Sequence, residues 1–184
     1  MIKRVCNILS AVLLIVLLAV AGLITVPMLM GYQEMAVLTG SMEPEMPVGS
    51  LVYVKPVDAT ELKPGEVCTY TLEDGETHVT HRVESIDTET KTLITKGDAN
   101  EEVDASPVAF DQVVGRAEFH VPMLGYITLN IKTPMGIMSV CGVLLVIILL
   151  NFIPAIIDAD KEDKQKKEAQ PEEADSPETG SPKE

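Results

Sequence analysis

Pro64-Gly65-Glu66-Val67-Cys68-Thr69-Tyr70-Thr71-Leu72, then Asp74-Gly75, then the returning run 78–86, spells out a strand, a turn and a second strand. Pro-Gly punctuates a turn, and the β-branched and aromatic residues after it suit a pleated strand. Asp-Gly is a tight hairpin signal. The chain then returns with period-2 alternation, which puts Val79, His81, Val83 and Ser85 on one face. On either side of this hairpin, 48–55 reads as a turn feeding a strand, and Leu93-Ile94-Thr95 as a short strand ending at Gly97-Asp98. The run 112–119 reads as another strand, with Gly115 at a bulge. No stretch among these carries a helical period of useful length. The middle of the chain is therefore expected to be mainly β, a small antiparallel barrel or bent sheet.

Two apolar runs bracket that middle. The run 8–30 is broken only by Ser10, Gly22, Thr25 and Pro27, and the run 135–157 is equally long. At 1.5 Å per residue each reaches about 30 Å, the thickness of a bilayer's hydrocarbon core. Lys3 and Arg4 precede the first, while Lys161, Lys164, Lys166 and Lys167 follow the second. The positive-inside rule puts both termini in the cytoplasm and the middle outside; a loop this long translocates in spite of Lys132. Ala19-Val20-Ala21 fits a small-x-small signal cleavage pattern, but the apolar run continues past it, which reads as a retained anchor. The expected organisation is a cytoplasmic N-terminus (1–7), a first transmembrane helix (8–30), an extracytoplasmic β domain (31–134), a second transmembrane helix (135–157) and a disordered acidic cytoplasmic tail (158–184).

Composition narrows the chemistry. The net charge of -14 is drawn partly from the tail, and no basic cluster faces outward, so nucleic acid is not expected as a partner. The three cysteines, Cys6, Cys68 and Cys141, are scattered, and only Cys68 falls in the β domain; no domain disulfide or Cys-x-x-Cys pair is possible. Cys68 sits in a strand pattern and reads as buried and structural. His78 and His81 are three apart, on opposite faces of a strand, which argues against a shared metal.

Three short segments carry reactive side chains: Thr39-Gly40-Ser41-Met42-Glu43-Pro44, Thr80-His81-Arg82-Val83, and Lys96-Gly97-Asp98-Ala99-Asn100 with a second acid at Asp104. Serine is a poor nucleophile until a base takes its proton, and a neutral imidazole suits that task. An acid behind the imidazole fixes its tautomer and stabilises the cation that forms. Gly40 permits close backbone approach, and the Thr39 hydroxyl is a candidate donor to an oxyanion. Ser41 lies eleven residues past Met30, so it stays within ~36 Å of the first apolar run even when extended. Met42, Met46 and Val48 line a substrate groove, face lipid or belong to the core. Singly, each segment has a plain reading as a turn, a structural histidine or a turn acid.

As an ordered set the segments resemble signal peptidase I, in the branch of endoplasmic-reticulum, archaeal and sporulation-type enzymes. Leu38 to Pro44 looks like that family's nucleophile box, with Ser41 as its serine. Thr80-His81-Arg82-Val83 looks like its base box, with histidine where the bacterial branch has lysine. Ile94 to Asn100 looks like the acid box, and Asp104 matches the second aspartate. Val113-Val114-Gly115-Arg116 resembles the strand that closes the core.

The resemblance implies a signal-peptidase-type antiparallel β catalytic domain between two transmembrane helices, with no metal and no cofactor. It implies hydrolysis after a small-x-small motif in secreted preproteins, at the bilayer and beside the translocon. Ser41 would be nucleophile, His81 general base, and Thr39, Gly40 and Met42 the oxyanion and substrate-binding positions. Asp104 is favoured behind the histidine and Asp98 for support, with the choice open. The other readings are a non-enzymatic two-span scaffold whose outer β domain binds a secreted partner, and a self-cleaving regulator of the related Ser-Lys type.

Overall fold

The computed structural model describes residues 2–168. It holds two compact units. Leu18–Cys141 carries the sheet, and residues 2–17 with 142–168 form the other.

The element order is α1 (Ile2–Leu29), β1 (Gln33–Ala36), β2 (Leu51–Lys55), β3 (Val67–Thr71), β4 (His78–Asp87), β5 (Thr92–Lys96), β6 (Val108–Ala109), β7 (Val113–Val121), α2 (Leu124–Ile131) and α3 (Pro134–Glu168). Short 3-10 turns occupy Ala59–Glu61 and Phe110–Gln112. The strands make one curled sheet in the order β1-β2-β7-β3-β4-β5-β6, antiparallel at every step. The bent sheet expected from turn spacing and alternation is what forms.

Turn chemistry sets the β3–β4 hairpin. Asp74 Oδ1 accepts the backbone N–H groups of Glu76 and Thr77, and Gly75 takes the positive φ of 72° that an L side chain resists. Three bulges then curl the sheet: Val114 and Glu118 are extra residues in β7, and Glu84 is extra in β4. The bulge expected at Gly115 is one residue earlier. Gly115 serves another need, because a Cβ there would collide with the Lys55 carbonyl. Gly115→Ala should therefore cost about 1–3 kcal/mol by overpacking, read as a lower thermal midpoint of the solubilised protein.

The Glu84 bulge changes one expectation. Val83 pairs with Thr95 but Ser85 pairs with Ile94, so the alternation slips by one. Ile86, not Ser85, packs on the core, and Ser85 is exposed.

Strand β2 is buried on both faces, as its unbroken apolar run suggests. Val52 and Val54 meet Met42, Met46 and Val67 on one side. Leu51 and Tyr53 meet Leu124, with Val20 and Ile24 packed against them, on the other. Tyr53 donates to the Leu23 carbonyl at 2.6 Å and stacks on Phe119 at 4.5 Å. A separate cluster of Leu62, Cys68, Tyr70, Val83, Leu93 and Val108 fills the half around β3, β4 and β5. Of the three residues left open near the serine, Met42 and Met46 are core, and Val48 is exposed.

Helix α2 is an eight-residue helix in a region where no helix was expected. Both α1 and α3 contain stretches long and apolar enough to cross a membrane, Lys3–Leu29 and Pro134–Phe152. Helix α3 runs on to Glu168, into the stretch expected to begin the disordered tail. The rest of that tail lies outside the described residues.

Candidate active site

Ser41 sits in a tight turn between β1 and β2. The turn is closed by Glu43 N–H to Gly40 C=O at 3.0 Å and Met46 N–H to Met42 C=O at 2.8 Å. Met42 and Met46, 3% and 4% exposed, anchor it in the core, so the turn is held by packing on both sides of its bend. Its carbonyl end is held too: Ser41 C=O accepts the Ala99 N–H at 2.9 Å. A Cβ on Gly97 would stand 2.6 Å from that same oxygen, so close approach is required at Gly97. At Gly40 the nearest atoms are 3.4 Å away on a flexible Glu43 side chain, ordinary contact that leaves room for one. Lys96, beside Gly97, pairs with Arg82, beside His81. The serine turn thus docks on the end of the strand pair that carries the histidine.

His81 is buried on β4, opposite Cys68 of β3. Its Nδ1 lies 2.6 Å from Asp104 Oδ2. The same oxygen accepts the Thr95 hydroxyl at 2.6 Å and the Tyr70 hydroxyl at 3.1 Å. Burial works to raise the Asp104 carboxyl. The hydrogen bonds from His81, Thr95 and Tyr70, with the histidine's charge, outweigh it and hold the group below its ordinary value. An ionised carboxylate only accepts, so the His81 proton belongs on Nδ1 and the lone pair on Nε2.

Asp98 does different work. It receives Arg82 Nε at 2.8 Å and Nη2 at 2.7 Å through its two oxygens, a bidentate pair. Arg82 also donates to Glu45 Oε2 at 2.6 Å and to the Gly65 carbonyl at 2.7 Å. One guanidinium therefore ties the serine turn, through Glu45, to the acid loop and to the turn before β3. Asp104 is brought to His81; Asp98 is not.

Ser41 Oγ lies 3.4 Å from Thr39 Oγ1, and among the described residues no hydrogen bond joins Ser41 to His81. The Ser41 backbone N–H makes no hydrogen bond among the described residues either. Thr39, Ser41 and Met42 line a groove of about 590 Å³, with Val37, Val52, Val79 and Leu129 among its apolar walls. A hollow of about 650 Å³ lined by Asp58, Thr90, Lys91 and Asp111 shares no residue with it.

The remaining reactive groups stand apart. Burial pushes the Cys68 thiol up to about 12, so it stays protonated and inert near neutral pH. His78 is exposed and bonded to the Thr71 hydroxyl, on the other side of the strand from His81. Among the described residues no three His, Cys, Asp or Glu gather as a metal-binding group. Sequence reasoning missed Tyr70, Thr95 and Glu45. Hydroxyls at inward strand positions, where Phe and Val would fit, were the available signal for the first two.

No family model matches the chain. It is 43% identical over 96 residues to Signal peptidase I W of Bacillus subtilis, covering 50% of this chain and 49% of that protein. It is 32% identical over 126 residues to the signal peptidase complex catalytic subunit SEC11 of Debaryomyces hansenii, covering 59% and 75%. The SEC11 of Candida albicans is 30% identical over 120 residues, covering 58% and 72%. The chain thus spans about half the length of the Bacillus relative. Identity of this extent with the fungal subunits over most of their length places the chain in the signal peptidase I family, in the branch of SEC11 and Signal peptidase I W.

Proposed function

We propose that this membrane protein is a serine endopeptidase that removes N-terminal signal peptides from secreted precursors after small-x-small motifs. The observation that carries the reading is the pair of buried His81 with half-buried Asp104 at 2.6 Å, with the Ser41 turn docked on the end of the strand pair that carries the histidine. The relatives' names, signal peptidase and signal peptidase catalytic subunit, support the substrate class. The basic residues flanking the two apolar helices support both termini in the cytoplasm and the β domain on the far side. Partners would then be signal-peptide precursors, the bilayer and the translocon that delivers them.

In this mechanism the Ser41 hydroxyl turns from Thr39 to His81 Nε2 when substrate enters the groove. Looser geometry before binding is usual for such pairs. Nε2 takes the hydroxyl proton as Oγ attacks the scissile carbonyl, and the oxyanion meets the Ser41 N–H and the Thr39 hydroxyl. The proton passes to the leaving amine, the signal-peptide acyl group stays on Ser41, and His81 then activates water to release it. Asp104 stays ionised throughout and stabilises the imidazolium. Met42 and Val52 in the groove floor suit small apolar side chains at the cleavage site.

A serine-directed peptidyl electrophile with small side chains should label the full chain at Ser41, mapped by mass spectrometry. The same preparation should cut a separate precursor. Labelling elsewhere, with the precursor left intact, would favour a binding scaffold.

A further inference from the structure

We infer that Thr95 and Tyr70 are positioning residues that hold the Asp104 carboxylate against His81, an inference that rests on the peptidase reading. Asp104 belongs to no helix or strand; it lies in the loop between β5 and β6. A side chain on such a loop is free to turn unless something fixes it. The fixing groups come from three strands: Tyr70 from β3, His81 from β4 and Thr95 from β5. All three meet the one oxygen, Oδ2. Thr95 holds the acid twice, because its carbonyl also accepts the Asp104 backbone N–H at 2.8 Å.

Thr95 is the more telling of the two. It is 0% exposed on the inward face of β5, where valine has the same shape and no hydroxyl to desolvate. A buried hydroxyl there is worth its cost only through the bond it makes. Tyr70, 4% exposed, is similar, and burial pushes its hydroxyl up to about 12, so it remains a donor at neutral pH. Neither residue lines the groove around Ser41. Their loss should therefore slow the chemical step and leave substrate binding alone. Without the clamp the carboxylate rotates, Nδ1 loses a fixed acceptor, and fewer molecules carry the lone pair on Nε2.

The test uses the purified chain of residues 1–184 and a precursor peptide. Thr95→Val should lower kcat about tenfold, the worth of one good hydrogen bond to a charged group, with KM unchanged and the protein still folded at the assay temperature. Thr95→Ser restores the hydroxyl and should restore kcat per folded molecule. Tyr70→Phe should lose less, its bond being the longer. Parental kcat in Thr95→Val, or equal loss in Thr95→Ser, overturns the inference; so does a loss that appears in KM or tracks the folded fraction. Ser41→Ala, run beside them, separates the two failures: cleavage that survives it overturns the peptidase reading itself.

Discussion

Membranes carrying Ser41→Ala or His81→Ala should leave a secreted precursor uncut, while the parent at equal protein level converts it to the mature form. The loss in each should be at least about 10⁴-fold, because nucleophile and base act as a unit. For the same reason the double variant should be no worse than either single one. Neither change should disturb the fold. The Ser41 turn is held by its backbone and by Met42 and Met46, and among the described residues the His81 ring makes its one hydrogen bond to Asp104. Undiminished processing in both variants would remove the site from consideration and leave a binding protein. The acid side of the rate profile offers a second reading of the same step. Only neutral imidazole accepts a proton, so the parent's rate should fall as the medium is acidified; a rate indifferent to acidification would argue against this base.

How much of this was legible in the chain depended on how local the determinant was. The β3–β4 hairpin follows from alternation and from Asp74-Gly75, both contained within a few residues. Ser85 was misplaced because the Glu84 bulge is a property of pairing with β5, which no run of β4 alone encodes. Strand β6 is two residues and α2 eight, too short for a period to show. At the site, Ser41 and His81 stood out through the resemblance of their ordered segments to a known family, not by spacing alone. The choice between Asp98 and Asp104 did not, since spacing does not say which carboxylate reaches the imidazole and which reaches Arg82. Three-dimensional register decides that, and Tyr70 and Thr95 became visible by the same route.

Asp104→Asn and Asp98→Asn should separate those two acids sharply. Asparagine keeps the size of aspartate, so packing around His81 survives. Its amide is another matter: with –NH₂ toward His81, Nδ1 must accept, the imidazole proton moves to Nε2, and the base is lost. A comparable change behind a catalytic histidine costs about 10⁴-fold in kcat, and a loss of that order is expected here. Asp98→Asn removes charge from the Arg82 pair, yet Glu45 and the Gly65 carbonyl still hold that guanidinium. Both partners are partly exposed, so the change should cost about 1 kcal/mol or less in stability and at most about tenfold in rate. Loss in Asp98→Asn as deep as in Asp104→Asn, with the fold intact, would reverse the assignment. Acid unfolding gives an independent check with a definite sign. The folded Asp104 carboxyl lies below its unfolded value, so its stabilisation is complete above about pH 4 and is lost as pH falls through the folded value. Asp104→Asn carries no such group, and its stability should fall less steeply over that acid range than the parent's. An unchanged slope would mean that the carboxylate is not held by His81, Thr95 and Tyr70 in solution.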